Sequence, residues 1–212
     1  MVAKWYTQTY GVDYQETFAP VAKMNIVKIL LSLVAHYNWK LLQYDGKIAF
    51  LYGDLDEVIY MNIPAGFERN TGNKMCKLKK AIYGLKQFPR AWYGRFEKFM
   101  KESRYKQSQG DHTLFIKHST TGGVTTLLVY VNDIIVTVND EREKHEVKQK
   151  LATGFKIKKL GKLKCFLGIE VAYSTQGIFI SQQKYVTDLL AETGKIGCKP
   201  ISTPMDPNYK LG

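Results

Sequence analysis

Cysteine is scarce in this sequence. Cys76, Cys165 and Cys198 are the three present, far apart and without a C-x-x-C pair. That spacing excludes a disulfide framework and a zinc ligand set, and the thiols read as reduced, in a cytosolic or nuclear setting. No signal peptide opens the chain. The longest apolar stretch, IVKILLSLVAHY, is interrupted by Lys28 and is too short to span a bilayer. The expectation is a protein that is neither secreted nor membrane-embedded. Internal repeats and low-complexity segments are lacking too. Acid is in short supply: 19 Asp plus Glu stand against 31 Lys plus Arg, for a net charge of +12. Such a surplus favours a polyanionic partner, nucleic acid or an anionic membrane surface.

What is present supports a folded domain. Hydrophobic residues make up 45% of the 212 positions, enough for one domain or two small ones with a real core. From Met24 to Asn38 the apolar residues Ile26, Val27, Leu30, Leu31, Leu33 and Val34 recur at helical spacing downstream of Pro20. KLLQYD reads as a short strand ending in Asp45, AFLYGDL as one or two helical turns, and EVIYMNI as a strand closed by Pro64. NKMCKLKK reads as a strand, followed by a Gly-containing loop. Pro89 then sits where a helix accepts proline in its first turn. The stripe Trp92, Tyr93, Phe96, Phe99 and Met100 that follows reads as core packing rather than a base-stacking platform.

TLFIKH and VTTLLVYV form a hairpin about STTGG, and IIVTV follows an Asn132-Asp133 turn. DEREKHEVKQKLATGF is a charged helix capped near Asn139 or Asp140. KIKKLGKLKCFLGIEVAYS and GIFISQ read as strands, and QKYVTDLLAETG as a helix ending at Gly194. Strands interleaved with helices, with several hairpins, imply an α+β fold: an antiparallel sheet covered by helices on one face.

Two acidic points stand out. Asp45 ends an apolar strand and is followed by Gly46; Asp133 sits at a hairpin tip between strands apolar enough to be core. If adjacent antiparallel strands bring them together, the carboxylates are hard oxygen ligands for Mg²⁺ in an in-line nucleotidyl transfer. Each alone also suits a turn, since Asp and Asn are both turn formers.

The blocks YGVDYQETFAPVAKMN, QYDGKIAFLYGDLDEVIYMNIPAGF, LKKAIYGLKQFPRAWYGRF, GDHTLFIKH, LLVYVNDIIVTV and LGKLKCFLGIEVA, in that order, run almost end to end. Together they resemble the reverse transcriptase of copia-type LTR retrotransposons, particularly plant copies; YVND resembles the family's Tyr-x-Asp-Asp box. The resemblance implies a right-hand polymerase: palm with partial fingers over residues 1–200, and the start of a connection or linker over 201–212. It implies an RNA template, a DNA primer or RNA–DNA hybrid, dNTP substrates and Mg²⁺. It makes Asp45 and Asp133 metal-binding carboxylates and the Gly46 carbonyl a further ligand. Phe50 takes the place of the aromatic steric gate under the sugar, with core packing as its plainer reading. Tyr83 and Gly84 lie in the loop over template and nucleotide. Leu167 and Gly168 form the primer-grip turn, where Gly168 otherwise supplies only a bulge or bend.

The chain departs from that family at one decisive place: Asn132 stands where the first Asp of the box belongs. An amide oxygen carries no charge, so the expectation is a fold that survives and a polymerase activity that falls by orders of magnitude. Gly46, Ile48, Phe88, Val138 and Trp5 are further departures, with Phe88 expected to crowd the template loop and Val138 to strain the backbone. Both ends read as cuts through a longer polyprotein whose RNase H and integrase regions, and a basic fingers strand, lie elsewhere. Three functions remain open: an RNA-directed DNA polymerase domain, a non-catalytic remnant that keeps nucleic-acid affinity, and a domesticated binding or scaffold protein.

Overall fold

The computed structural model describes residues 3, 5–46, 53–64, 66–67, 74–155 and 157–199. The chain divides into two compact units, Met1–Leu163 and Lys164–Gly212, each with a sheet of its own.

In the first unit, α1 (Met24–Tyr37) buries Val27, Leu30, Leu31 and Val34, the stripe its 3.6-residue period dictates. It stops at Asn38, which takes a left-handed conformation (φ 53°) and donates its N–H to the Val34 carbonyl. Next come β1 (Lys40–Gly46), β2 (Tyr60–Asn62) and β3 (Met75–Lys77). The helical turns expected for AFLYGDL fall partly outside the described residues; within them, Asp54 forms an isolated bridge to Lys80. Helix α2 (Phe88–Glu102) carries proline in its first turn and buries Phe88, Trp92, Tyr93, Phe96 and Met100. Then follow β4 (Lys106–Gln107), β5 (Leu114–His118), β6 (Val124–Tyr130) and β7 (Asp133–Val138). In α3 (Glu141–Gly154) the Asp140 side chain accepts from the Arg142 N–H at 2.7 Å, the N-cap expected from the sequence. The unit's last strand is β8 (Ile157–Lys162).

Six of these strands form one antiparallel sheet in the order β4-β5-β6-β7-β1-β8; β2 and β3 pair separately. Local hairpins build one half of the sheet. The other half requires β1 to insert between β7 and β8, two strands about 90 and 115 residues downstream. Alternation sends Leu42, Tyr44, Phe115, Leu127, Val129, Ile134 and Val136 to one face. There they form a single core with Trp92, Tyr93, Phe96 and Met100 of α2 and Val147 and Leu151 of α3. The aromatic stripe of α2 is therefore core. On the opposite face Leu41, Leu128, Ile135 and Thr137 are buried as well.

In the second unit, β9 (Cys165–Phe166), β10 (Ile169–Ser174) and β11 (Gly177–Ser181) form an antiparallel sheet, followed by α4 (Gln183–Glu192). The expected linker, residues 201–212, lies outside the described residues. The result is a mixed fold of helices and antiparallel sheet. No described helix is long and apolar enough to cross a membrane.

Candidate active site

The pairing of β1 with β7 puts Asp45 directly opposite Asp133. The same register continues to both sides: Asp133 pairs with Tyr130 of β6, and Asp45 with Lys158 of β8. Directly paired residues share a face, so Tyr130, Asp133, Asp45 and Lys158 form one row across the end of the sheet. The two carboxylates singled out in the sequence are brought together.

The turn is displaced by one residue from the Asn132-Asp133 expectation. Because Tyr130 pairs with Asp133, the two-residue loop is Val131-Asn132, and Asp133 is the first residue of β7. Val131 carries a positive φ of 51°, a conformation that costs a β-branched residue on the order of 1–2 kcal/mol. It is held there from below, where the Trp92 indole N–H donates to the Val131 carbonyl at 2.6 Å. Asn132 contributes twice: its carbonyl accepts from the Gly46 N–H at 2.8 Å, and its side-chain Nδ2 donates to Asp45 Oδ1 at 2.8 Å. Gln43, one pleat back on β1, donates Nε2 to Asp133 Oδ1 at 3.0 Å. Burial pushes the Asp133 carboxyl above its ordinary value; the Gln43 hydrogen bond pulls against this and the neighbouring Asp45 charge adds to it.

These donors bear directly on a bound cation. An ionised carboxylate only accepts hydrogen bonds, so the Asn132 amide must turn N–H, not oxygen, toward Asp45. One oxygen of each carboxylate is thereby engaged by an amide. Among the described residues no group of three or more His, Cys, Asp or Glu is placed to hold a metal. The set does not fit a two-cation cradle.

Gly46 ends β1 at the crest, paired with Ile157. Phe50 and Ile48 lie outside the described residues. Tyr83 is exposed, its ring edge-on to Phe88. Gly84 has φ +94°, and a Cβ there would meet the Ala3 carbonyl oxygen at 2.2 Å. Close backbone packing therefore accounts for this glycine without a nucleotide. In the second unit Leu167 (φ 52°) and Gly168 (φ 74°) form the two-residue turn between β9 and β10, the geometry of a type I′ hairpin. The expectation for Phe88 is corrected: its ring is buried with Ile59, Ala81 and Leu85 and does not crowd a loop surface. So is that for Val138, which pairs with Lys40 and Thr125 as ordinary strand.

Sequence reasoning missed Gln43, Trp92 as an anchor, and Lys158. Only the period-2 phase of β1, which puts Gln43 on the same face as Asp45, pointed to the first. Two hollows flank α2. One of about 280 Å³, lined by Phe18, Pro89, Trp92, Tyr93, Val129 and Val131, adjoins the turn. The larger, about 530 Å³, is lined by mixed charges such as Asp54, Glu57, Arg90 and Arg95, and includes neither carboxylate of the pair.

Fold and site are those of an α+β domain with paired carboxylates at a hairpin crest. The family described as reverse transcriptase (RNA-dependent DNA polymerase) matches residues 1–207, and the chain belongs to it. It is similar to copia-type Pol polyproteins of plant transposons. The retrovirus-related Pol polyprotein from transposon RE1 of Arabidopsis thaliana is 41% identical over 212 residues, covering 100% of this chain and 14% of that protein. That from transposon TNT 1-94 of Nicotiana tabacum is 36% identical over 214 residues, 100% of this chain and 16% of the polyprotein. The putative transposon Ty5-1 protein of Saccharomyces cerevisiae is 34% identical over 164 residues, 76% of this chain and 53% of that protein. No solved structure matches the chain.

Proposed function

We propose that this chain is the palm, with part of the fingers, of a copia-type RNA-directed DNA polymerase whose catalytic step is impaired. The observation that carries the reading is the hydrogen bond from Asn132 Nδ2 to Asp45 Oδ1. Asp45 and Asp133 stand opposite each other, as the family's metal-binding carboxylates would. The third position presents an N–H where a charged oxygen is needed. In the family, Mg²⁺ held by such carboxylates supplies charge neutralisation and alignment of primer hydroxyl and dNTP phosphate; no such step is assigned to this chain. Each ~1.4 kcal/mol lost from transition-state stabilisation is tenfold in rate, and a missing unit charge between divalent cations is a loss of several such steps.

Binding need not be lost with chemistry. The net charge of +12 favours an RNA template, a DNA primer and their hybrid. Phe50, Tyr83 and Gly84 are the proposed nucleotide-binding residues, the Gly46 carbonyl belongs with Asp45 and Asp133 on the metal side, and Leu167-Gly168 are the proposed primer grip. A non-catalytic or domesticated nucleic-acid-binding remnant is the alternative, favoured by the same Asn132.

Primer extension on poly(rA)/oligo(dT) with Mg²⁺ separates them. The chain as written is expected to be silent and Asn132→Asp to gain extension. Clear extension by the unmodified chain would overturn the impairment; silence of a folded Asn132→Asp would favour the remnant.

A further inference from the structure

The polar groups at the crest are paired crosswise. Gln43 of β1 donates to Asp133 of β7 at 3.0 Å, while Asn132, just before β7, donates to Asp45 of β1 at 2.8 Å. Each amide belongs to one side of the β1–β7 seam and each carboxylate to the other. The backbone bond from Gly46 N–H to the Asn132 carbonyl closes the same junction at 2.8 Å. On the far side of β1, Lys158 stands in register with Asp45 on the same face.

Two half-buried carboxylates in cross-strand register repel each other and lose water, and both effects disfavour the folded state. A site of this kind needs positive charge or hydrogen-bond donors from some source. With a third carboxylate at position 132 the chain would hold three acids at one seam, and a bound cation would be the natural source. With Asn132 the donors come from the chain itself.

The geometry points to Asn132 as an interstrand clamp that makes the β1–β7 seam independent of divalent cations. On this view, which rests on the polymerase reading only for what formerly stood at position 132, one substitution removed a metal ligand and stabilised the metal-free fold. The seam matters because β1 meets β7 by long-range pairing, with nearly ninety residues between Asp45 and Asp133.

Thermal unfolding of the chain as written, of Asn132→Asp and of Asn132→Ala tests this, each in excess EDTA and in millimolar Mg²⁺. The unmodified chain is expected to melt at the same temperature in both. Asn132→Ala should melt lower by roughly 5 °C in both, since a hydrogen bond to a charged group is lost and not replaced. Asn132→Asp should melt lower still in EDTA and recover in Mg²⁺, because a ligand that binds only the native state stabilises it by mass action.

An Asn132→Asp protein as stable as the parent in EDTA would overturn the clamp. So would a parent that gains as much from Mg²⁺ as the variant does. If Asn132→Asp fails to fold in EDTA, Asn132→Ala and Mn²⁺ binding to the parent, followed by electron paramagnetic resonance, still decide: tight Mn²⁺ binding by the parent overturns the proposal. Primer extension is read separately. A silent Asn132→Asp with cation-dependent melting would sink the polymerase reading and leave the clamp standing.

Discussion

The indole N–H of Trp92 donates to the main-chain carbonyl of Val131 at 2.6 Å, joining the N-terminal half of α2 to the loop between β6 and β7. The bond explains how a β-branched residue keeps a φ of 51° at the crest of the site. Trp92 is buried against Phe96 and Phe155, so the core holds its ring and the ring holds the loop. Trp92→Phe should keep most of the packing but leave the carbonyl unpaired, lowering stability by about 1–3 kcal/mol. Val131→Gly should raise it by up to roughly 1 kcal/mol, because glycine takes the left-handed region without steric cost. Urea midpoints of the two variants check both signs.

Two buried tyrosines should respond differently to alkali. Burial first, then the Glu97 charge, pushes Tyr93 up to about 12 from its ordinary 10.0. Burial first, then Glu143 and Glu146, raises Tyr105. A tyrosine that holds its proton more tightly folded than unfolded contributes stability in full below pH 10; that contribution is lost as pH rises through the folded value. The Tyr93 hydroxyl donates to the His112 carbonyl at 2.6 Å and accepts from Gln107 at 2.7 Å. The Tyr105 hydroxyl has no hydrogen-bond partner among the described residues. At neutral pH, Tyr93→Phe should cost about 1–2 kcal/mol, whereas Tyr105→Phe should be neutral or slightly stabilising. Both should flatten the alkaline limb of a stability–pH curve between pH 10 and about 12.

Strand β8 is the edge of the six-stranded sheet beside Asp45, and its Lys158, which shares the face of Asp45, is exposed. If the crest faces a nucleic-acid backbone, this lysine lies along it. Replacing it with Gln should weaken binding of an RNA–DNA hybrid and make its log–log salt slope shallower by about 0.9 for the phosphate no longer neutralised. An unchanged slope would place the hybrid elsewhere.

Gly84 leaves no room for a side chain. Its φ of +94° and the Ala3 carbonyl 2.2 Å from a built Cβ both oppose substitution. Gly84→Ala should cost about 1–3 kcal/mol in strain. It should also release the Ala3 N–H from the Tyr83 carbonyl, which it meets at 2.7 Å. Faster hydrogen exchange at Ala3 would show this directly.

Much of the fold could be read from local pattern. The α1 stripe, the Asp140 cap, the Pro89 helix start and the β6–β7 hairpin all follow from short-range periodicity and capping, because the groups that satisfy one another lie within a few residues. The exact turn did not. Asn-Asp looks like a turn dipeptide and Val131 does not, yet Trp92, 39 residues away, holds Val131 in the turn and frees Asp133 to begin β7. Phe88 misled for a related reason: beside a loop it reads as exposed, and only Ile59, Ala81 and Leu85 make it core.

By itself the sequence determined the chemistry available at the site: Asp45 and Asp133 as acids, Asn132 as a neutral amide, and the strands that carry them. Only the tertiary structure decided which of these groups meet. β1 pairs with β7 across nearly ninety residues, and no local periodicity encodes a non-local register. That register sets Asp45 against Asp133, lets Asn132 and Gln43 donate across the seam, and makes Asn132 a bonded partner of Asp45.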